Sequence, residues 1–244
     1  MSRPALSVVI PALNEAARLP RSLQRITDHL EASREGHEIL VVDDGSTDGT
    51  AEAAVRALGA AVTVLRNDRN RGKGYSVRRG MLAASGARRL MTDADLSTPI
   101  EELHGLGARL DAGDDVAIGS RALPGSRIEV HQPILREGTG RIFNLFVRLL
   151  AVPDVRDSQC GFKLFTAAAA EAVFSRCRLD GFSFDVEALH VARRLGLRIA
   201  EVPVVWRNDA ASRVTLLRGA AAFADLVTIR LNAARGRYGH GSGL

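Results

Sequence analysis

Apolar runs alternate with helix-length amphipathic stretches through the first half of this chain. "LSVVIP" (6–11), "EILVVDD" (38–44), "VTVL" (62–65), "RRLMTD" (88–93) and "DVAIGS" (115–120) are short, apolar and rich in β-branched residues, as strands are. Between them lie stretches of helical length, near 14–33, 48–59, 73–85 and 99–112. Strand, helix and strand recurring at a spacing of about 25 residues predict parallel βαβ units. Open sheets of that kind bind ligands outside the carboxyl ends of their strands.

Helix starts are marked by Ser46, Thr47 and Asp48 before the second helix, and by Pro99 with Thr98 as a cap before the fourth. After residue 120 the alternation changes. A loop containing Pro and Gly (122–138) leads to an apolar helix at about 140–151, then to the short segment "DSQCGFKLF". Helices at 166–177 and 184–195, a strand "IAEVPVVW" and a final helical stretch from about 215 complete the chain. The closing "RYGHGSGL" reads as a frayed end.

The chain has 244 residues, 46% of them hydrophobic, which suits one globular α/β domain with a C-terminal extension. No run approaches the roughly 18 apolar residues of a membrane-spanning helix. The start, "MSRPALSVVIPALNE", reads as a first strand and not as a signal peptide. Cys160 and Cys177 make no disulfide framework, which predicts a reducing, cytoplasmic setting. The net charge of +5 favours anionic partners. With 5% aromatic residues there is no stacking platform for single-stranded nucleic acid, so nucleic acid is not an expected partner. Of 33 basic residues only Lys73 and Lys163 are lysines. Either each needs a compact ammonium and not a planar fork, or both are chance survivors of an Arg-rich composition.

The chemistry-bearing residues fall at predicted strand ends. In "VVIPALNE", Pro11 ends a strand, Asn14 and Glu15 open a helix, and backbone groups there can meet a nucleotide. In "VVDDGSTDGT", Asp43 and Asp44 either cap a turn or accept a hydrogen bond from a base or ribose. "NRGKGYSVRRG" lacks the P-loop spacing but can place Lys73 near an anion at a helix N-terminus. In "LMTDADLSTP", Asp93 and Asp95 stand one residue apart, so in an extended segment both carboxylates point the same way. Two such carboxylates suit Mg²⁺ or Mn²⁺, which keeps waters and takes substrate phosphates as further ligands.

Together, "VVIPALNE", "VVDDGSTDGT", "GKG", "DADLSTP" and "GSR" resemble the inverting glycosyltransferases of family 2, which have the GT-A fold. "RDSQCGFKLF", "FSFDVEAL" and "AEVPVVWRND" narrow the resemblance to the polyprenyl- or dolichyl-phosphate β-glucosyltransferase branch, related to dolichyl-phosphate mannose synthase. The resemblance implies a Rossmann-like, mostly parallel sheet flanked by helices, with a C-terminal helical extension. It implies a GT-A domain over 1–213, with a nucleotide-sugar half (1–121) and an acceptor half (122–213), followed by a basic helix and frayed tail (214–244). Pro11, Leu13 and Glu15 match nucleoside contacts, and Val42 and Asp44 the base and ribose pocket. Asp93, Ala94 and Asp95 match the metal and diphosphate motif, with Asp95 favoured as direct ligand. Arg121 matches an arginine near the phosphates and the reacting sugar. Arg136, Arg207 and Arg213 match positions holding the diphosphate and the acceptor phosphate. Asp185 and Glu187 of "FDVE" match positions near the sugar, with Asp185 as base or sugar-orienting group.

The implied reaction moves glucose, or another hexose such as mannose, from a UDP- or GDP-sugar to polyprenyl phosphate, with Mg²⁺ or Mn²⁺ as cofactor. A phosphate monoester has a second pKa near 6, so it is anionic at neutral pH and needs no strong base. A lipid acceptor implies peripheral contact with the inner face of the cell membrane. "GRIFNLFVRLL" (140–150), with Arg141, Asn144 and Arg148 on one face, suits an interfacial helix and equally a buried one. The alternatives are the same fold acting on a soluble acceptor, and a nucleotide-binding module without catalysis.

Overall fold

The computed structural model describes residues 3–130, 146–147, 151–207 and 216–239. Its main sheet has seven strands in the order β3-β2-β1-β4-β7-β5-β8. These are β1 (Leu6–Ala12), β2 (His37–Asp43), β3 (Val62–Arg66), β4 (Arg88–Met91), β5 (Val116–Ser120), β7 (Lys163–Thr166) and β8 (Ile199–Pro203). A second, two-stranded sheet pairs β6 (Arg127–Val130) with β9 (Val205–Arg207). The helices are α1 (Leu19–Ser33), α2 (Thr50–Leu58), α3 (Lys73–Ala83), α4 (Leu103–Asp111), α5 (Ala167–Phe174), α6 (Phe184–Arg194) and α7 (Leu216–Ala234).

The first five expected strands form, and β1 is buried along its whole length, as parallel strands covered on both faces are. Its side chains alternate between two cores. Val8 and Ile10 join Leu19, Leu23 and Ile26 of α1 and Leu106 of α4 on one face. Val9 joins Met81 of α3, Val173 of α5, Leu189 of α6 and Leu226 of α7 on the other. The pairing of β1 with β2 sets Pro11 beside Val42 and Ala12 beside Asp43, so the two strands end together.

β7 departs from the parallel pattern. It runs antiparallel between β4 and β5, with Lys163 opposite both Met91 and Ile118. Four residues beginning with a lysine carry no readable period, so the segment looks like a loop in sequence. Its direction matters for the site: the residues just before β7 arrive at the carboxyl ends of the strands beside it.

Two helix starts differ from expectation. α1 begins at Leu19, and Asn14 and Glu15 lie in a turn, with Asn14 at φ 56°. The polar groups of this turn bond across to the next loop. Asn14 N donates to Ser46 Oγ (2.9 Å), Glu15 N to Thr50 Oγ1 (2.8 Å) and Ala16 N to Asp48 Oδ2 (3.0 Å). Such bonds compete with helix formation. Thr98 does not cap the fourth helix; its hydroxyl meets Cys160 Sγ at 3.6 Å instead.

The expected frayed end is tied down at Tyr238, which is fully buried, while 240–244 lie outside the described residues. The Tyr238 hydroxyl donates to Glu187 Oε1 (2.7 Å), and Glu187 Oε2 accepts from Arg178 N (2.9 Å) and Leu179 N (2.8 Å). Glu187 is therefore committed to joining α6, the 178–179 turn and the chain end, and is not free to meet a sugar. Burial pushes its carboxyl above the ordinary glutamate range, and the Leu179, Tyr238 and Arg178 donors pull it only partly back. A carboxyl harder to ionise folded than unfolded stabilises most at low pH, where both states are protonated. That contribution is lost as pH rises through its folded value. Glu187→Gln is therefore predicted to gain stability relative to wild type on going from about pH 4 to about pH 8. Urea unfolding at both values checks this; a difference between the two proteins that does not move with pH contradicts it.

Candidate active site

The carboxyl ends of β1, β2, β4 and β5 and the amino end of β7 share one edge of the sheet. At the carboxyl end of β2, Asp44 is buried and accepts three bonds. Its Oδ1 accepts from Asn67 Nδ2 (2.7 Å) and Arg71 N (2.8 Å), and its Oδ2 from Gly72 N (2.9 Å). Asp43 Oδ1 accepts from Ser46 N at 3.0 Å, and Arg66 Nε lies 3.3 Å from its Oδ2. Both aspartates thus shape the 44–46 and 67–72 turns, and Asp44, expected in the base and ribose pocket, spends three bonds on them. Pro11 and Val42 are buried side by side in the sheet, leaving Leu13, 38% exposed, as the open surface of that group. Glu15 holds Arg18 through two bonds of 2.7 Å.

The turn that Asp44 organises delivers Lys73. Gly72 has φ 103°, and a methyl group there would overlap the Asp180 carbonyl, so the tight entry to α3 requires glycine. The first amides of α3 are already taken: Gly74 N (2.8 Å) and Tyr75 N (3.3 Å) donate to Asp180 O. The expected anion at this helix N-terminus is instead a side chain of the protein, because Lys73 Nζ lies 2.6 Å from Asp93 Oδ1.

Asp93 and Asp95 occupy a turn and not the extended segment that sequence suggested. Leu96 N donates to Asp93 O (3.2 Å), and Leu96 adopts φ 48°. Ser22 Oγ holds the intervening Ala94 carbonyl at 2.6 Å, and Ser97 N donates to Asp95 Oδ1 at 2.9 Å. The two carboxylates nevertheless repel. Burial and then the Asp93 charge raise the Asp95 carboxyl above the ordinary aspartate range, against the Ser97 bonds and Lys73.

Facing them stands the pair that sequence did not assemble. Lys163, at the start of β7 and 1% exposed, donates to Asp185 Oδ1 (2.5 Å) and to Cys160 O (2.5 Å). Burial raises the Asp185 carboxyl, while Lys163 and Lys73 lower it. Burial also works against the Lys73 ammonium, but Asp93, Asp185 and Asp95 outweigh it and hold that group above the ordinary lysine range. Three carboxylates and two ammonium groups therefore interact here.

Beyond β5 the edge is built on Asp157. Arg121 Nε (2.6 Å) and Nη2 (2.8 Å) grip its two oxygens, and Arg121 N adds a third bond of 2.9 Å. Glu201 of β8 fixes the loop, accepting from Arg156 N (2.8 Å) and Asp157 N (3.0 Å). Trp206 lies under the Arg121 guanidinium, 5.3 Å from its centre. Arg207 is exposed, bonds Glu129 through Nε (2.5 Å), and donates from its backbone to Ser97 O (2.8 Å), which ties β9 to the Asp95 turn. Arg136 and Arg213 lie outside the described residues, as does the 140–150 stretch apart from exposed Phe146 and buried Val147.

Asp157, Glu201, Asn67 and Gly161 carry this geometry without any sequence signal of their own; the resemblance in "RDSQCGFKLF" and "AEVPVVWRND" pointed to the neighbourhood of all but Asn67. Gly161 is the most constrained. A methyl group on it would overlap the Asp93 carboxylate that Lys73 holds. A displacement of about 1 Å at a reacting centre costs about 10²-fold in rate. Gly161→Ala is predicted to keep a wild-type circular dichroism spectrum and to lose sugar-transfer turnover by that order. Turnover within a factor of about two of wild type would show that Asp93 need not sit where Gly161 allows it.

Residues 7–174 match the glycosyl transferase family 2 sequence profile. The dolichyl-phosphate β-glucosyltransferase of Drosophila melanogaster is 39% identical over 229 residues, spanning 86% of this chain and 69% of that protein. The Dictyostelium discoideum enzyme of the same name is 35% identical over 240 residues, spanning 92% and 73%. Among solved structures, glucosyl-3-phosphoglycerate synthase from Mycobacterium tuberculosis, crystallised with Mn²⁺, UDP-glucose and phosphoglyceric acid, superposes with a TM-score of 0.69. It is 22% identical, and the match covers 97% of this chain and 80% of that one, which shows the fold. The strand order, the acidic edge and these relatives together place the chain in glycosyl transferase family 2, on the branch of the dolichyl-phosphate β-glucosyltransferases.

Proposed function

We propose that this protein transfers glucose, with inversion, from UDP-glucose to the phosphate of a polyprenyl phosphate such as dolichyl phosphate. The observation that carries the reading is the cluster of Asp93, Asp95 and Lys73 facing Lys163 and Asp185 at the carboxyl edge of the sheet. The residues fit a divalent cation of the Mg²⁺ or Mn²⁺ type. Among the described residues no three His, Cys, Asp or Glu side chains gather to enclose a metal. Two carboxylates open to solvent and substrate are the usual setting for an ion completed by diphosphate and water. Asp93 and Asp95 would hold it, and when bound it offsets the charge developing on the departing nucleoside diphosphate.

The protein's own groups divide the remaining work. Lys73, paired with Asp93, places a fixed positive charge beside the diphosphate. Arg121, aligned by Asp157, uses two of its five N–H groups in that pair and offers others to a phosphate. Asp185, held by Lys163, accepts from sugar hydroxyls and orients the ring. It is not needed as a base, since a phosphate monoester with a second pKa near 6 attacks the anomeric carbon already ionised. As the new C–O bond forms on one face, the bond to the diphosphate breaks on the other. Arg207, whose Glu129 partner is half exposed and weakly bound, is available to the acceptor phosphate, with Arg136 and Arg213. The enzyme would act as a peripheral protein at the inner face of the cell membrane.

A second reading keeps the fold and changes the acceptor to a soluble phosphate, as the phosphoglyceric acid complex of the mycobacterial enzyme illustrates. Labelled UDP-glucose offered with dolichyl or undecaprenyl phosphate and Mn²⁺ separates the two. The expected product is butanol-extractable and acid-labile, disappears with EDTA, and falls at least about 10²-fold in Asp95→Ala, the scale of removing one transition-state electrostatic contact. Label confined to water-soluble product across the lipid phosphates would overturn the lipid reading; undiminished transfer in EDTA would overturn the metal.

A further inference from the structure

The outward face of α7 has no side chain of the described residues covering it at Val227 and Leu231, which are 55% and 48% exposed. Leu226, Ile229, Asn232 and Ala233 face inward. At 100° per residue the opposite face carries Phe223, Ala224, Val227, Arg230, Leu231, Ala234 and Arg235. That face holds no acid and no polar uncharged residue. Asp225 sits on the flank towards Gly181. At one end Phe223 stacks edge-on against exposed Phe146 with centroids 5.2 Å apart, which extends the apolar strip.

Beside the strip lies an open groove of about 370 Å³, floored by Val227, Leu231, Ala233 and Ala234 and framed by Arg194 and Arg230. Among the described residues neither arginine has an ion-pair partner, and Arg194 Nε is buried without a hydrogen bond. The positive field is felt nearby. Burial disfavours the charged form of His190, the Ala151 carbonyl favours it, and Arg194, Arg230 and Arg193 again disfavour it, so the ring stays below the ordinary histidine range.

We propose that this face of α7 docks the protein onto an anionic lipid bilayer, with Val227 and Leu231 entering the boundary between headgroups and acyl chains and Arg194 and Arg230 meeting lipid phosphates. An apolar stripe edged by arginine and lacking acids is the composition of a helix lying in that interface. No described helix is long and apolar enough to cross the membrane, so contact in the plane is the mode this element allows. A second copy of the chain is the poorer fit. A two-fold interface sets the same patch against itself, and here it would bring Arg194, Arg230 and Arg235 towards their own counterparts. The placement suits the chemistry. α6 carries Asp185 at one end and Arg194 at the other, so the groove lies about 14 Å along that helix from the reacting centre, at 1.5 Å per residue.

The proposal deepens the lipid-acceptor reading and rests on it for its purpose, but vesicle binding is measured without donor or acceptor. Wild-type protein is co-sedimented with phosphatidylcholine vesicles, with and without a quarter of phosphatidylglycerol. Binding is expected with the anionic vesicles, weakening with salt. Val227→Glu together with Leu231→Glu is expected to weaken it at least about tenfold, and Val55→Glu, an exposed valine on α2, to leave it unchanged. Both variants should keep wild-type unfolding midpoints and, in detergent, wild-type transfer. Absence of binding by wild type, equal loss in Val55→Glu, or a wild-type dimer that the double variant converts to monomer would each overturn the proposal. Vesicle binding without transfer to any lipid phosphate would leave the docking face standing and remove the acceptor reading instead.

Discussion

Asp93, Asp95 and Asp185 converge at one edge of the sheet, and the only two lysines in the sequence, Lys73 and Lys163, are the cations set among them. Clustered carboxylates in a partly dry site repel strongly, and each would resist ionising without a partner. A compact ammonium answers this where a guanidinium would not, because it concentrates its charge on one atom and rotates its donors to whatever oxygens are present. Lys163 shows this by serving a carboxylate and a backbone carbonyl from one nitrogen. Much of the surrounding architecture holds these five side chains. Asp44 and Gly72 set the entry to α3 that presents Lys73, Gly161 leaves space for Asp93, and β7 runs against its neighbours to bring Lys163 in.

By formal charge the three carboxylates outnumber the two ammonium groups by one, and on the proposed function that excess suits a cation. A fully neutral cluster would have little electrostatic need for a cation and a diphosphate. One left slightly acidic favours a divalent ion, whose surplus positive charge then favours the anionic donor. Beside this cluster Arg121 grips Asp157 with two bonds, while Asp185 and Lys163 of the cluster also act on the pair. On the proposed function, the carboxylates would serve the donor's metal and sugar, and the arginines the phosphates.

The layered fold was readable because buried parallel strands are near-continuous apolar runs, and five such runs stand out in the first half. The acidic edge was readable for a related reason: Asp93 and Asp95 follow one of those runs directly. What escaped detection depended on contacts between distant segments. β7 is too short to show a period. Asn14 and Glu15 look like a helix start until the 46–50 loop claims their amides. Asp44 has the composition of a ligand-binding residue and the environment of a loop organiser. Glu187 sits two residues from Asp185, close enough in sequence to suggest a shared task, yet on a helix that separation turns it towards Tyr238 and the protein interior. Lys163 was noticeable only as a compositional exception, and Lys73 also as the lysine of a turn suited to an anion; that both belong to one site required the third dimension.

If the charge cluster is one donor site completed by a cation, donor binding must depend on the metal and on these side chains. Thermal unfolding of wild type, Lys163→Met and Asp93→Asn with UDP-glucose, in the presence and absence of Mn²⁺, measures this, since a ligand that binds only the folded state raises the midpoint by an amount that grows with the logarithm of its concentration over its dissociation constant. The prediction is a UDP-glucose shift in wild type that appears only with the metal and is lost or sharply reduced in both variants. A shift of equal size without metal, or one preserved in both variants, would contradict it.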